Sequence, residues 1–391
     1  MSAATRSPAV LLLLLAAACA EPARAPCPSL PQPPLPVAAV APPGTASVPP
    51  QPPAPPVDLG VTPVEGDFVL HDFHFTSGQT LPELRIHYTT LGTPARDASG
   101  RTTNAVLVLH GTTGSGHQFL SPQFARELFL PGQLLDVRRY YVILPDDIGH
   151  GRSSKPSDGL RARFPAYGYH DMVEAEHRLV AESLKVDHLR LVMGTSMGCM
   201  HSWMWAESWP DQMDAVMPLA CLPVAIAGRN RLWRKLTIDG VRNDPAYRGG
   251  DYSAEPEEGL RLAAATFLLA GAAPLEMQKR LATRDATDLA AEELTRKFVA
   301  THDANDLVYA LSSSGDYDPS RDLEKITAPV MFVNSADDFI NPPELGIAET
   351  EIRRVRRGKF VLLPATPTSH GHGTHTWAVF WKQYLAELLG G

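Results

Sequence analysis

The most constraining stretch of this 391-residue chain is His188-Leu-Arg-Leu-Val-Met-Gly194-Thr195-Ser196-Met197-Gly198-Cys199. Its apolar run reads as a buried strand. The run breaks at Gly-Thr-Ser-Met-Gly, and a helical pattern follows through Met200, Trp203, Met204 and Ala206 to Trp209-Pro210. G-x-S-x-G between a strand and a helix is the pattern of a nucleophile elbow. The turn is so tight that the residues two before and two after the serine leave no room for a Cβ, hence Gly194 and Gly198. The serine hydroxyl then stands at the strand tip, over a helix N-terminus whose dipole favours developing negative charge. Ser196 is the candidate nucleophile.

The N-terminus has a different character. Residues 1–25 carry an early Arg6, a Val-Leu-Leu-Leu-Leu-Leu-Ala core and small residues. That apolar run is too short to span a membrane and reads as a secretory signal. Cys19 follows Ala16-Ala17-Ala18 directly, as in a lipobox whose cysteine is lipidated after cleavage, although Ala16 stands where leucine is usual. Plain signal cleavage is the alternative. Residues 26–58 are dominated by Pro, Ala and Val with hardly a charge, a composition that cannot build a core and reads as an extended stalk. An anchored domain needs such a spacer. The expected partner surface is therefore a membrane, through the lipid anchor only. A net charge of −8 leaves no basic footprint for nucleic acid.

Residues 59–391 read as one catalytic domain. Asp67–Phe75 and Glu83–Thr90 alternate polar and apolar residues, suggesting an edge hairpin. Asn104–Leu109 and Tyr140–Leu144 are continuous apolar runs, as expected of parallel strands buried on both faces. A helix is expected over Tyr169–Lys185, then the elbow, then a strand at Ala215–Cys221. Strands alternating with helices imply a parallel sheet with right-handed crossovers and a site at the strands' carboxyl ends. From about 222 to 318 the rhythm changes to successive helices, including Gly259–Ala270, Pro274–Ala282 and Leu289–Ala300, which reads as a lid. The alternation resumes with a strand at Pro329–Asn334, a helix at Pro342–Val355 and a strand at Lys359–Leu363. A closing helix carries the core stripe Trp377, Phe380, Trp381, Tyr384 and Leu388. Cys199 and Cys221 come close in this arrangement. They form either a disulfide, which an exported protein permits, or two buried thiols.

A serine nucleophile needs a base and a residue to orient it. Asp337 and Asp338 follow the strand after the lid, and His370, His372 and His375 fill the turn before the last helix. The Asp-x-x-x-Pro spacing favours Asp338 over Asp337. The setting Gly371-His372-Gly373 favours His372 over His375 and His370. The H-x-H-x-x-H cluster has a metal-binding alternative, but zinc ligands usually sit on rigid elements with supporting hydrogen bonds, and no metal or other cofactor is expected. For the oxyanion hole, Met197 supplies one backbone N–H and the loop His110-Gly111-Thr112 the other, from Thr112 ahead of Thr113. His110 reads as a brace for that loop.

Taken together, these features resemble the α/β-hydrolase superfamily and, more narrowly, the homoserine O-acetyltransferase-like family over roughly Val69 to Leu389. The similarity rests on the lid segments Val241-Arg-Asn-Asp244-Pro245, Gly250-Asp-Tyr252, Gly259-Leu260 and His302-Asp303-Ala304-Asn305. It rests also on the acid loop Asp338-Phe-Ile-Asn-Pro342 and on Gly371-His372. The resemblance implies an α/β-hydrolase fold: a mostly parallel central sheet flanked by helices, with a helical lid insertion. It also implies a triad of Ser196, Asp338 and His372 and an oxyanion donor at Thr112. Two departures stand out. The family's glycine-rich loop after the fourth strand is replaced by Asp147-Ile-Gly149-His-Gly151-Arg-Ser153. Where the family's carboxylate-binding arginine is expected, the chain reads Leu236-Thr-Ile-Asp, with Arg229, Arg231 and Arg234 nearby.

The expected activity is that of an exported, periplasmic or outer-membrane serine hydrolase cleaving a small-molecule ester through an acyl-enzyme on Ser196. The alternatives are an O-acyltransferase of the family's type, taking an acyl substrate, and a catalytically retired binding domain. The intact elbow, acid, base and oxyanion loop argue against the last.

Overall fold

The computed structural model describes residues 57–390. The leader, Cys19, Cys27 and nearly all of the Pro-rich stretch lie outside the described residues.

Eight strands form one sheet. They are β1 (Val64–His74), β2 (Thr80–Leu91), β3 (Ala105–Leu109), β4 (Tyr141–Pro145), β5 (Leu191–Thr195), β6 (Val216–Leu219), β7 (Val330–Ser335) and β8 (Gly358–Leu363). Their spatial order is β1-β2-β4-β3-β5-β6-β7-β8. The β1–β2 hairpin and the β2–β4 pair are antiparallel, and every pairing from β4 through β8 is parallel. This is the mostly parallel α/β sheet anticipated from the strand–helix alternation.

Burial explains why the inner strands are continuous apolar runs. Along β3, Ala105, Leu107 and Leu109 enter one hydrophobic layer and Val106 and Val108 the other. All five residues are buried. Each such side chain contributes about 1.5–3 kcal/mol, so a polar residue on either face would be strongly unfavourable. One layer is filled by α2 (Tyr169–Arg178) and α3 (Met197–Ser208). The other is filled by α1 (Pro122–Leu128) and the C-terminal helix.

Between β6 and β7 lies a helical insertion of α4 (Gly228–Asn243), α5 (Glu257–Gly271), α6 (Pro274–Arg280), α7 (Arg284–Thr301) and α8 (Ala304–Ser312). It has its own small core around Trp233, Ile238, Val241, Leu260 and Leu307. After β7 come α9 (Ile347–Glu351) and, after β8, α10 (Lys382–Leu389).

Three expected helices differ. The helix expected over Pro342–Val355 is broken, because Gly346 adopts a left-handed conformation (φ 62°) and α9 begins only after it. The Tyr169–Lys185 helix is α-helical only to Arg178. A π turn over Leu179–Ser183 follows, and Lys185 ends it at φ 55°. The closing helix starts at Lys382, not at the tryptophan stripe. The chain up to Phe380 is spent on the histidine loop and a further 3-10 turn, and Trp381 ends that path by donating its indole N–H to the His375 carbonyl at 3.0 Å. Trp381 is buried in the core as expected, whereas Trp377 is 36% exposed and stacks on His370.

Candidate active site

The elbow is built by steric necessity. A Cβ on Gly194 would run into the Gly198 carbonyl, and a Cβ on Gly198 would run into the Leu109 carbonyl. Three backbone segments therefore meet at contact distance around one residue. That residue, Ser196, is held at φ 55°, ψ −106°, a conformation that a non-glycine residue adopts only under constraint. The constraint is visible in two backbone bonds. Ser196 N–H donates to the Leu219 carbonyl and Gly198 N–H donates to the His110 carbonyl, both at 2.8 Å.

Around Ser196 the structure brings together residues far apart in the chain. His372 Nε2 lies 2.9 Å from Ser196 Oγ, and His372 Nδ1 lies 2.9 Å from Asp338 Oδ2. Asp338 is buried. Its other oxygen accepts the backbone N–H groups of Ile340 and Asn341 at 2.8 and 3.0 Å. Burial alone would raise this carboxyl, but the His372 imidazole and the Asn341 donors outweigh it and hold it below the usual carboxylate range. An ionised Asp338 fixes the Nδ1–H tautomer of His372, leaving Nε2 free to accept the serine proton.

The rival residues have other places. Asp337 accepts from the Ser335 and Ser369 hydroxyls, the latter at 2.6 Å, and from Gly371 N–H at 3.3 Å. It ties the histidine loop to β7. His370 stacks on Trp377 with ring centroids 4.2 Å apart. His375 packs edge-on to His372, and burial, reinforced by the His372 charge, pushes its imidazole down to about 3. The three histidines thus diverge and do not converge on one ion site. Cys199 and Cys221 form a disulfide that staples the first turn of α3 to the end of β6.

The oxyanion side is equally ordered. As the first residue of α3, Met197 has no intrahelical carbonyl for its N–H. A Cβ on Gly111 would lie 3.3 Å from Ser196 Cβ, so the Gly111–Thr112 peptide sits directly over the serine. His110 is fully buried. It accepts the Asp147 N–H at Nε2 (3.1 Å), and its Nδ1 lies 2.9 Å from the Gly111 carbonyl, the brace expected of it.

Two cavities flank this centre. An apolar one of about 480 Å³ runs past Met200, Leu222, Ile226, Ile340 and Leu345. A more polar one of about 610 Å³ lies beyond Thr113, bordered by Gln118, His150, Lys155, His302 and Asp306. Ser196 lines neither, but Met200 on α3 and Thr113 on the oxyanion loop do.

Arg229, Arg231 and Arg234 stand as equals in the sequence reading, yet of the three only Arg234 is buried. It falls on the inward stripe of α4 with Trp233, Thr237, Ile238 and Val241, and that spacing is the signal that separates it. Its guanidinium donates to Asn230 Oδ1 (3.0 Å) and Ser314 Oγ (3.3 Å) and makes no ion pair among the described residues. Tyr169 bears on both Arg234 and Thr112. Burial raises its phenol, opposed by the Arg234 charge and the Thr112 hydroxyl. The Tyr169 hydroxyl and Thr112 Oγ1 are both buried without a fully formed hydrogen bond.

Residues 104–357 match the family model described as alpha/beta hydrolase fold. The chain belongs to the α/β-hydrolase family. Within it, this chain is a member of the homoserine O-acetyltransferase-like group. It is 32% identical over 336 residues to the homoserine O-acetyltransferase of Pelobacter propionicus, covering 76% of this chain and 87% of that relative. It is 29% identical to the one from Geotalea daltonii, covering 77% and 90%. Among solved structures, an acetylester hydrolase from Corynebacterium glutamicum superposes with a TM-score of 0.73 at 20% identity, covering 84% of this chain and 96% of that one. A homoserine O-acetyltransferase from Bacillus anthracis superposes at 0.71 and 19%, covering 84% and 98%. At those identities the structural likeness speaks for the fold.

Proposed function

We propose that this chain is a serine acyltransferase that moves a short acyl group onto the hydroxyl of a carboxylate-bearing acceptor through an acyl-enzyme on Ser196. Ser196 Oγ attacks the acyl carbonyl and passes its proton to His372 Nε2. The bond to the donor's leaving atom breaks, and His372 returns that proton to the leaving group. The acceptor hydroxyl then attacks the acyl carbon, gives its proton to His372, and Ser196 Oγ departs with it. Asp338 orients the imidazole and stabilises its charged form, while the Met197 and Thr112 N–H groups receive the oxyanion.

The observation that carries the acceptor is Arg234. A buried cation without an acidic partner is strongly unfavourable, and here two under-bonded hydroxyls, on Tyr169 and Thr112, stand with it. A substrate carboxylate offers a countercharge and enough acceptor sites for all three. Arg234 lies two residues before Leu236-Thr-Ile-Asp, where the family's arginine was expected. The sequence favoured water as second nucleophile. The named sequence relatives and Arg234 favour an alcohol, and they weigh more because they concern the acceptor itself. Hydrolysis is the second reading, supported by the closed Asp147–Ser153 loop, where Asp146 accepts from Gly116 and Arg152 N–H at 2.8 Å.

Residues 1–58 belong to the same proposal as a lipoprotein leader and stalk, so the donor supplied in place would be an activated ester or thioester available outside the cytoplasm. The deciding assay offers the purified protein acetyl-CoA or a simple acetyl ester, each with and without homoserine. Transfer should exceed hydrolysis at saturating acceptor. Hydrolysis that is unaffected by any carboxylate-bearing alcohol would reverse the order of the two readings.

A further inference from the structure

Beneath the oxyanion loop lies a polar array that the catalytic steps above do not use. Asp147 follows β4, Glu176 is on α2, and His201 and Trp205 are on α3. All four are buried in the apolar layer that supports the elbow. Glu176 Oε1 is 2.7 Å from His201 Nδ1, and Glu176 Oε2 accepts the Trp205 indole N–H at 2.6 Å. Asp147 is less well served. Neither carboxyl oxygen has a hydrogen-bond donor, and the nearest nitrogens are His110 Nε2 at 3.4 Å and His201 Nδ1 at 3.8 Å.

Tautomers decide what can satisfy Asp147. His110 Nε2 accepts the Asp147 backbone N–H, so its ring proton is on Nδ1 and points at the Gly111 carbonyl. It has no proton for the Asp147 carboxyl. The His201 Nδ1 proton is already directed at Glu176. The acidic oxygens of Asp147 and Glu176 and the His201 nitrogen lie within 4.8 Å of one another. Two carboxyls so placed in a core bond to each other only if one is protonated. We propose that Asp147 and Glu176 share a proton, and that this pair, acting through His110, positions the Thr112 N–H of the oxyanion hole. The proposal rests on the acyl-transfer reading of Ser196.

The route runs through one peptide plane. In a trans peptide the carbonyl of Gly111 and the N–H of Thr112 point in opposite directions. The Gly111 carbonyl accepts from His110 Nδ1–H and from Gly114 N–H, both at 2.9 Å, and the Thr112 N–H is thereby turned to the opposite side of the peptide plane. His110 keeps that tautomer because the Asp147 N–H occupies its Nε2. The Asp147 backbone in turn stays in place while its side chain is bonded within the core. These are positioning residues, none of which touches the acyl group.

Charges around the pair point the same way. Burial, with the Glu176 carboxylate beside it, raises Asp147 well above the carboxylate range, and burial raises Glu176 to about 7. Of the groups facing the pair, His150 is pushed down to about 3 by burial and His201 is lowered by burial. Tyr167 and Tyr169 are raised by burial and stay neutral phenols, and the two imidazoles that oppose the rise of Asp147, His110 and His201, are outweighed by burial. A divalent cation is the rival occupant, since three ligating side chains converge here. It would have to displace the His201 proton from between the ring and Glu176, and both Glu176 oxygens are already taken by donors.

Infrared spectroscopy of the full protein reads the proton directly, and acylation by p-nitrophenyl acetate reads the loop. Other raised acids such as Glu207 are common to both proteins, so the readout is the difference spectrum: wild type minus Asp147→Asn at pH 7 should show one protonated-carboxyl band. Asp147→Asn, whose amide can donate to Glu176, should keep kcat within about threefold and flatten the loss of activity at alkaline pH. Asp147→Leu should lower kcat by ~10²-fold with KM little changed, the loss seen when an oxyanion donor is misplaced. Absence of the band from the difference spectrum, equal damage from Asn and Leu, or one bound divalent ion per chain by elemental analysis would each overturn the proposal. A wild type with no acylation burst would instead sink the reading of Ser196, and the infrared band would still decide the shared proton.

Discussion

Asp337 and Asp338 are adjacent in the chain, and their carboxylates hold opposite ends of one loop. Asp338 accepts His372 Nδ1 at 2.9 Å, while Asp337 accepts the Ser369 hydroxyl at 2.6 Å, three residues earlier in the histidine loop. One carboxylate orients the imidazole and the other tethers the backbone that carries it.

These two acids are separable by mutation. Asp338→Asn should lower kcat by ~10³–10⁴-fold, because the His372 tautomer is no longer fixed. Asp337→Asn should cost about 1–3 kcal/mol of unfolding free energy through its weakened bonds and reduce kcat far less. Steady-state kinetics beside urea titrations measure both. The reverse ranking would make Asp337 the orienting acid.

Ser196 carries backbone strain that its side chain did not cause. Ser196→Ala and Ser196→Gly should both abolish labelling by a fluorophosphonate probe. Only Ser196→Gly relieves φ 55°, so it should unfold about 1–2 kcal/mol later than Ser196→Ala. Labelling of either variant at the wild-type rate would remove Ser196 as nucleophile.

Replacing Arg234 by Met removes an unpaired buried charge while keeping its volume. The variant should be as stable as wild type or more so. KM for a carboxylate-bearing acceptor should rise on the order of 10²-fold, and turnover of a neutral short ester should change little. A drop in Tm with no change in acceptor KM would make Arg234 purely structural.

Acid should act against the buried imidazoles. His375 and His150 are both held near 3, below the ordinary 6.5. A depressed histidine binds fewer protons folded than unfolded, so its contribution is complete above 6.5 and is lost as pH falls towards 3. Asp338, lowered from 3.8, adds a further loss at the acid end of that range. The raised acids Asp147 and Glu176 act in the opposite sense over this range, so the measurement is a difference: between pH 7 and 4 the denaturation midpoints of His375→Gln should depend on pH by about one proton less in the acid-destabilising sense than those of wild type. An unchanged slope would mean that His375 titrates normally.

Reducing the Cys199–Cys221 bond opens a link spanning 22 residues. Cys199→Ala with Cys221→Ala should lower stability by about 2–4 kcal/mol, and wild type in reductant should match the double variant. No difference between oxidised and reduced protein would mean that the staple does not form in solution.

Much of this is legible in the sequence. The two-faced strands β3 and β5 announce themselves as unbroken apolar runs, and the edge hairpin by its alternation. Ser196, Asp338 and His372 followed from their places after particular strands. What the chain did not disclose depends on meetings between distant elements. Asp147, Glu176 and His201 come from a loop and two helices, and no local pattern marks an acid as buried. The disulfide stayed open because proximity of Cys199 and Cys221 does not set their oxidation state. The late start of α10 escaped notice because Trp377 and Trp381 have helical spacing, yet Trp377 was needed against His370.

The insertion between β6 and β7 has one more consequence. Ser196, Asp338 and His372 sit in the connections that follow β5, β7 and β8, whereas Arg234 belongs to α4 of the insertion. On the acyl-transfer reading proposed above, bond making and guest selection fall in separable stretches of the chain. A recombination event that swapped residues between Leu222 and Asp318 would hand the same chemistry a new clientele and leave every proton-carrying atom where it was.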